Sequence, residues 1–538
     1  MKKWAVLSLL SAAMFIIVID TTIMNVSISA LVEDLNTTVG GVQAAISIYA
    51  LVMASFILIG GKLADIVGKK RTFIIGLIIF GIGTTTASFS QGLGLLIIGW
   101  SILEGLGSAL MMPNVQTLLR DEYEGKDRAF SYGIIGAVGA VGAAVGPIVG
   151  GFLTTFASWR WAFRLEVLIV ILVLVFSGYI KPDVVPERRP KFDYLGALLN
   201  ILGWVLIVLA ILLGGSYGFW LAKQPFVIGD LEIAPFGLSI VPFMIGAGVL
   251  VIMLLFRWER RLEEKDGDGL FRPSLFRIPG LTSGFAVRFT QMAITAAFLF
   301  IFPLLLQLSF EFTAMETGVA LVPFSIALLI TAIVGARLSA RFKAKRIIQV
   351  GFIIAIIGLI TMEATIQPES TPADLATGAL FGAGLGLIAS QILNLILSSV
   401  KPADTAETAG LNGTFEQLGN SLGVALVGTI MLVSLSTGLQ EGIDRSAVIP
   451  GDDKAVLSAA VEESVELVSN TQLAQGLEDA GVDETVEAEV IDIYGVARTQ
   501  AFKAGIAFLI FVALGGLILT GGLSNRKLVG EEVEEEDV

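Results

Sequence analysis

The chain has neither cysteine nor histidine among its 538 residues. Their absence excludes disulfides, thiol nucleophiles, Cys/His zinc centres and every Ser-His or Cys-His catalytic arrangement. Charge is scarce as well, at 15% of residues against 55% hydrophobic ones, with a mean hydropathy of +0.83. Soluble domains carry about 25% charged residues, so this is the composition of a membrane protein rather than an enzyme of the aqueous phase. No G-x-x-x-x-G-K-[ST] phosphate loop is present, and nothing points to ATP as an energy source, to a cofactor or metal, or to a nucleic-acid partner. What the chain has in quantity is glycine, 60 residues, which lets membrane helices approach one another closely.

The formal charge of -13 is unevenly placed. The stretch 437–497 carries 14 acids and the tail after Ser524 another six, which leaves 28 acidic against 31 basic residues elsewhere. The membrane body is slightly basic, and the acidity belongs to two appendages. The opening "MKKWAVLSLLSAA" has the ingredients of a secretory signal, but its apolar run continues to about Leu31. Signal cores stop at roughly 7 to 15 apolar residues, so the segment reads as a retained first span.

Segments of membrane-spanning length, about 20 apolar residues, fall near 5–31, 41–62, 73–91, 93–114, 130–156, 161–180 and 193–214. A second set falls near 234–256, 281–308, 316–337, 346–366, 375–399, 408–435 and 500–522. Fourteen spans place both termini on one side. With that side cytoplasmic, 27 of the 35 Lys and Arg residues, among them Lys2, Lys3, Arg188, Arg189, Arg526 and Lys527, lie in inner segments, as the positive-inside rule requires. The chain also repeats itself: "GKLADIVGKKR" at Gly61 has a degraded echo, "GARLSARFKAKR", at Gly335. The expected fold is therefore an all-α integral membrane protein of two pseudo-symmetric six-helix bundles with two extra central helices. Residues 1–192 form the N-terminal bundle, 193–280 the inserted helices and a cytoplasmic linker, and 281–524 the C-terminal bundle with an acidic extracellular loop at 437–499. An acidic cytoplasmic tail occupies 525–538. Related halves of this kind are a transporter design, with substrate bound near the midplane.

Several spans carry polar stripes at helical spacing. Span 1 has Asp20, Thr21 and Asn25; span 4 has Ser101, Glu104 and Ser108; span 9 has Arg288, Gln291 and Thr295; span 12 has Gln391, Asn394 and Ser398. Ser, Thr, Asn and Gln commonly just hydrogen-bond between helices for about 0.6 to 2 kcal/mol. A charge at the bilayer centre costs at least about 2.5 to 3.5 kcal/mol unless it meets water or a partner. Asp20, Glu104 and Arg288 are accordingly the leading candidates for a functional cavity, with an ion pair, even between Glu104 and Arg288, as the structural alternative. Span 13 adds Asn412, Glu416 and Asn420 on one face. Span 5 reads "GIIGAVGAVGAAVGPIVGG" from Gly133 to Gly151, a strip suited to close helix approach and kinked by Pro147.

Four stretches resemble one family. "GKLADIVGKKR" resembles the loop 2–3 motif of the major facilitator superfamily, and "GAAVGPIVGG" resembles its antiporter motif. "IDTTIMNV" in span 1 and "WRWAF" at Trp159 are similar to the fourteen-span drug:proton antiporter branch. The resemblance implies a plasma-membrane multi-pass exporter, monomeric in the lipid bilayer and with both termini cytoplasmic. It would exchange protons for amphipathic cationic or neutral small molecules by alternating access. It also implies a conformational latch at Gly61, Asp65, Gly68, Lys69, Lys70 and Arg71, and a motif helix at Gly142, Gly146, Pro147, Gly150 and Gly151. Two departures stand out: Ser101 replaces the arginine that the family links to proton coupling, with Glu104 in place of its usual Gln, and Ser29 replaces a proline of span 1. Coupling would then rest on Asp20 and Glu104, with Arg288 supplying the missing charge from the other half. Lipid or metabolite export, uptake by symport, and a receptor that moves nothing are the competing readings.

Overall fold

A computed structural model describes residues 4–183, 190–228, 231–233, 237–367, 374–401, 404–451, 454–455, 457–458, 461, 465–480 and 482–525. Lys2, Lys3, Arg188, Arg189, Arg526, Lys527, the tail beyond Asn525 and parts of the acidic stretch 437–499 lie outside them.

Among the described residues, fourteen helices are long and apolar enough to cross a membrane. Spans 1 to 7 are Ala5–Val26, Val39–Val67, Lys69–Ser88, Leu93–Glu122, Gly125–Phe156, Arg160–Tyr179 and Tyr194–Tyr217. Spans 8 to 14 are Ile240–Glu263, Leu281–Ser309, Ala314–Leu338, Ala344–Thr365, Gly378–Leu397, Thr405–Arg445 and Glu484–Gly522. Each coincides with an expected segment. Local chemistry sets many of the starts: Thr38, Asp193 and Ser239 cap spans 2, 7 and 8 with side-chain oxygens, and Thr313 forms a capping box with Glu316 ahead of span 10.

Three departures from regular helix matter later. Span 1 breaks at Ser27 and resumes as Ile28–Asp34. Span 4 is π-helical over Ile97–Glu104, a wider turn often found where side chains must be re-aimed. Spans 5 and 9 carry internal prolines, Pro147 and Pro303.

Spans 13 and 14 reach into the acidic stretch 437–499 from both sides. Span 13 continues as helix to Arg445 and span 14 is already helical from Glu484. Forty-one residues make about 60 Å of helix, roughly twice the hydrocarbon thickness. The two extensions share a small apolar core of Ile443, Ile449, Val486 and Val490, which is why acidic sequence stays helical outside the apolar span. Helix Asn470–Asp479 lies beside them, and the hydroxyl and amide of Thr471 both donate to Glu311 between spans 9 and 10. These two donors hold the Glu311 carboxyl below its usual range. Between spans 7 and 8 the chain forms a small hairpin of β1 (Phe226–Ile228) and β2 (Leu231–Ile233), which the span pattern did not suggest.

Span 7 packs on span 8 and bridges the two bundles: Asn200 donates to the Ser55 carbonyl of span 2, and Thr429 of span 13 donates to the Ile211 carbonyl. Spans 2 and 13 run alongside each other, with Gln43 donating to the carbonyls of Val424 and Ala425 and Ser421 donating to that of Ser47.

Candidate functional site

Inside the first bundle, spans 1, 4 and 6 converge on a cluster of three carboxylates. In the π-helical stretch a turn takes more than four residues, so Trp100 and Glu104 fall on nearly the same face. Trp100 Nε1 donates to both oxygens of Asp20, at 2.8 and 3.1 Å. Its ring stacks on Tyr49, centroids 5.3 Å apart, and the Tyr49 hydroxyl meets that of Ser108 at 3.1 Å. Glu166 of span 6 completes the group. One oxygen from each of Asp20, Glu104 and Glu166 lies within 4.8 Å of the other two, and all three residues are buried. Glu166 Oε2 is 2.9 Å from Thr84 Oγ1, whereas both oxygens of Glu104 lack any partner. Gly83 and Gly99 let spans 3 and 4 close over Glu104, for a Cβ at Gly83 would lie 2.8 Å from its Cγ.

The remaining span 4 stripe turns inward rather than toward an open cavity. Ser101 donates to the Ala45 carbonyl of span 2 at 2.7 Å. On span 1, Thr21 donates to Val18 and Asn25 to Thr21, both back along their own helix.

A second charged group sits in the other bundle. Arg288 of span 9 pairs with Glu416 of span 13 at 2.6 Å and donates to Gln291 Oε1 at 2.9 Å. This corrects the ion-pair alternative for Glu104: the partner of Arg288 is Glu416. Thr295 donates to the Gln291 carbonyl, and Gln391 to the Gly335 carbonyl of span 10. Asn394 and Ser398 are exposed.

The loop between spans 2 and 3 is held within its own bundle. Gly68, with φ of +112°, turns the chain there, and the Asp183 carboxylate occupies the space where a side chain at Gly68 would be. That carboxylate accepts from the amides of Lys70 and Arg71 at 2.8 and 3.2 Å, capping the positive end of span 3. Lys69 pairs with Asp121 and Lys70 Nζ donates to the Ile180 carbonyl. Asp65, Lys69, Asp121 and Ile180 border a cavity of about 410 Å³. Gly61 has open space around it.

Span 5 meets the opposite bundle at one end only. Gly142 and Gly150 pack on Val18 and Ile23 of span 1, and a side chain at Gly146 would collide with Thr22. Pro147 and Gly151 instead face span 10, where a Cβ at Gly318 would strike the Pro147 carbonyl and one at Gly151 that of Ala314. Gly133 lies about five turns before Gly151, and Gly136 three turns before Pro147, on that same face. A Cβ at either would meet nothing within 4 Å. Among the described residues, span 5 is therefore packed on span 10 at the Asp34 end and unpacked on that face toward the Asp65 end, while spans 2 and 13 stay in contact as far as Ile57 and Gly413. Gln307 of span 9 seals the Asp34 end. Its amide donates to the Val26 carbonyl at 2.8 Å and accepts from the Ser29 amide at 3.2 Å, so the break in span 1 is closed by the other bundle.

Sequence reasoning missed Glu166, Trp100, Asp183 and Gln307. Glu166 had a signal, since it is a lone acid in an apolar run and meets the criterion that selected Asp20. Trp100 and Gln307 had none, because their roles depend on which helices abut.

The Major Facilitator Superfamily profile matches residues 10–262 and 233–424. The "Probable actinorhodin transporter" of Streptomyces coelicolor is 27% identical over 481 residues, covering 88% of this chain and 80% of that protein. The "Puromycin resistance protein pur8" of Streptomyces alboniger is 26% identical, covering 84% and 86%. Among solved structures, a bacterial homologue of the human lysosomal transporter Spinster, in an inward-facing and unoccupied conformation, superposes with a TM-score of 0.61 at 15% identity, covering 97% of this chain and 98% of that one. With this match and fourteen membrane-length helices, the chain belongs to the Major Facilitator Superfamily of multi-pass membrane transporters.

Proposed function

We propose that the protein exports amphipathic cationic or neutral small molecules across the plasma membrane in exchange for protons. Three buried carboxylates gathered in one bundle without a basic partner are the observation that carries this reading. Such a group needs counter-charge, and a proton supplies it on one side of the membrane and leaves on the other. Asp20 and Glu104 take and release protons, with Thr21, Asn25 and Ser101 supporting their helices. Arg288, Gln291, Gln391, Asn394 and Glu416 form the polar wall of the substrate path. The inward gradient supplies about 2.3 kcal/mol per charge per 100 mV in addition to the pH difference.

Residues 1–192 and 281–524 act as the moving bodies, carried by the inserted helices, with both termini cytoplasmic. The Asp65 end is then the cytoplasmic one, where the face of span 5 has still to meet span 10. The latch of Gly61, Asp65, Gly68, Lys69, Lys70 and Arg71 engages when that end closes, which gives Gly61 its missing neighbour. The relatives named for actinorhodin and puromycin make those two compounds sensible first probes.

Everted vesicles with an acidified lumen test the proposal. Adding a transported compound raises the luminal pH, and Asp20→Asn combined with Glu104→Gln abolishes that rise. Export unchanged by collapse of the proton gradient contradicts it.

A further inference from the structure

The cluster at spans 1, 4 and 6 contains more acid than a single exchanged proton needs. Acidic residues near one another would mean little alone, but two other observations point to an occupant. Glu104 is fully buried with both oxygens unpartnered, and Glu166 Oε1 is unpartnered too. Thr84 Oγ1 lies 3.1 Å from the Phe163 carbonyl and 2.9 Å from Glu166 Oε2. A hydroxyl has one hydrogen to give. When Thr84 gives it to the carbonyl, the bond to Glu166 forms only if Glu166 is the acid and donates.

Charge balance leads to the same place. With one proton on the cluster, two negative charges remain within 4.8 Å in a dry interior, where their repulsion is strong. With two protons a single negative charge remains, shared among the three acids, and the Trp100 indole meets it while it rests on Asp20. The groups facing the cluster add no positive charge. Span 2 contributes Tyr49, hydrogen-bonded to Ser108, and span 3 Thr84. Among the described residues, no lysine or arginine forms an ion pair with any of the three acids.

We propose that Asp20, Glu104 and Glu166 form one proton-storage site that holds two protons while sealed and releases both when it opens, so that two protons enter for each substrate molecule exported. The inference rests on the antiport reading and adds its stoichiometry. Both steps are ionisations: each O–H bond breaks to leave a carboxylate, and the proton passes to water. Export of a monovalent cation then moves one net positive charge inward per cycle.

Proteoliposomes holding the full chain, with ethidium as the transported cation, test this. The membrane potential is set by potassium and valinomycin at a fixed pH difference, and the potential of zero net flux gives the stoichiometry. Wild type gives two. Glu166→Gln and, independently, Glu104→Gln give one, so that transport responds to the pH difference but no longer to the potential, and Glu166→Asp restores that response. A wild-type ratio of one, a ratio of two in both Gln variants, or transport driven by a sodium gradient alone, as a metal cation among these oxygens would produce, overturns the proposal. Wild-type protein that moves ethidium under neither gradient contradicts the antiport reading itself.

Discussion

At the scale of single residues, the two charged groups differ in how their charge is met. Among the described residues, Asp20, Glu104 and Glu166 are buried without a lysine or arginine partner, whereas Arg288 and Glu416 answer each other across spans 9 and 13. Removing one member of a largely buried pair strands the other, at a cost of about 3 kcal/mol, whereas replacing both with apolar residues of similar size is often neutral. Arg288→Met should therefore lower thermal stability in detergent more than Arg288→Met with Glu416→Leu. A double variant at least as unstable as the single one would show that the pair itself contributes net stability.

What the sequence disclosed at this scale was the cost of a charge, not its company. Asp20, Glu104 and Arg288 stand out because a charge in an apolar run is expensive. That Asp20 meets Trp100 depends on the π-helical turn of span 4, and that Arg288 meets Glu416 depends on spans 9 and 13 abutting. Neither is a local property of the chain.

At the scale of the element, span 5 shows which features were legible. Fourteen helices could be counted from hydropathy because an isolated membrane helix must satisfy its own backbone. The end at which the glycine strip is packed could not be read, since Gly133 and Gly151 are chemically the same residue on the same face. The structure separates them. Gly151→Leu should drive a side chain into the Ala314 carbonyl and lower thermal stability by about 1–3 kcal/mol. Gly136→Leu should leave the stability of this state unchanged and block transport, because the face it occupies must close later in the cycle. Equal loss of stability in both variants would remove the asymmetry argued for span 5.

The acidic stretch 437–499 gives the opposite lesson. Its acidic, helix-prone sequence suggested a solvated outer appendage, and Ile443, Ile449, Val486 and Val490 bury a small core there that extends spans 13 and 14 beyond bilayer thickness. Four apolar residues outweighed the overall composition because they fall where two helices meet.

At the scale of the whole molecule, the absence of cysteine is an experimental advantage, since every introduced thiol is a unique label. Leu329 lies eleven residues beyond Gly318 on span 10, toward the Asp65 end. Spin labels at Gly136→Cys and Leu329→Cys therefore read the distance between spans 5 and 10 directly. The central claim is that protonation of the buried carboxylates and rearrangement of the bundles are one process. Recorded by pulsed electron resonance across a pH series, the distance distribution should shift between long and short populations as pH changes. Adding Asp20→Asn, Glu104→Gln and Glu166→Gln should freeze it at one population. An unchanged pH response in that triple variant would contradict the account.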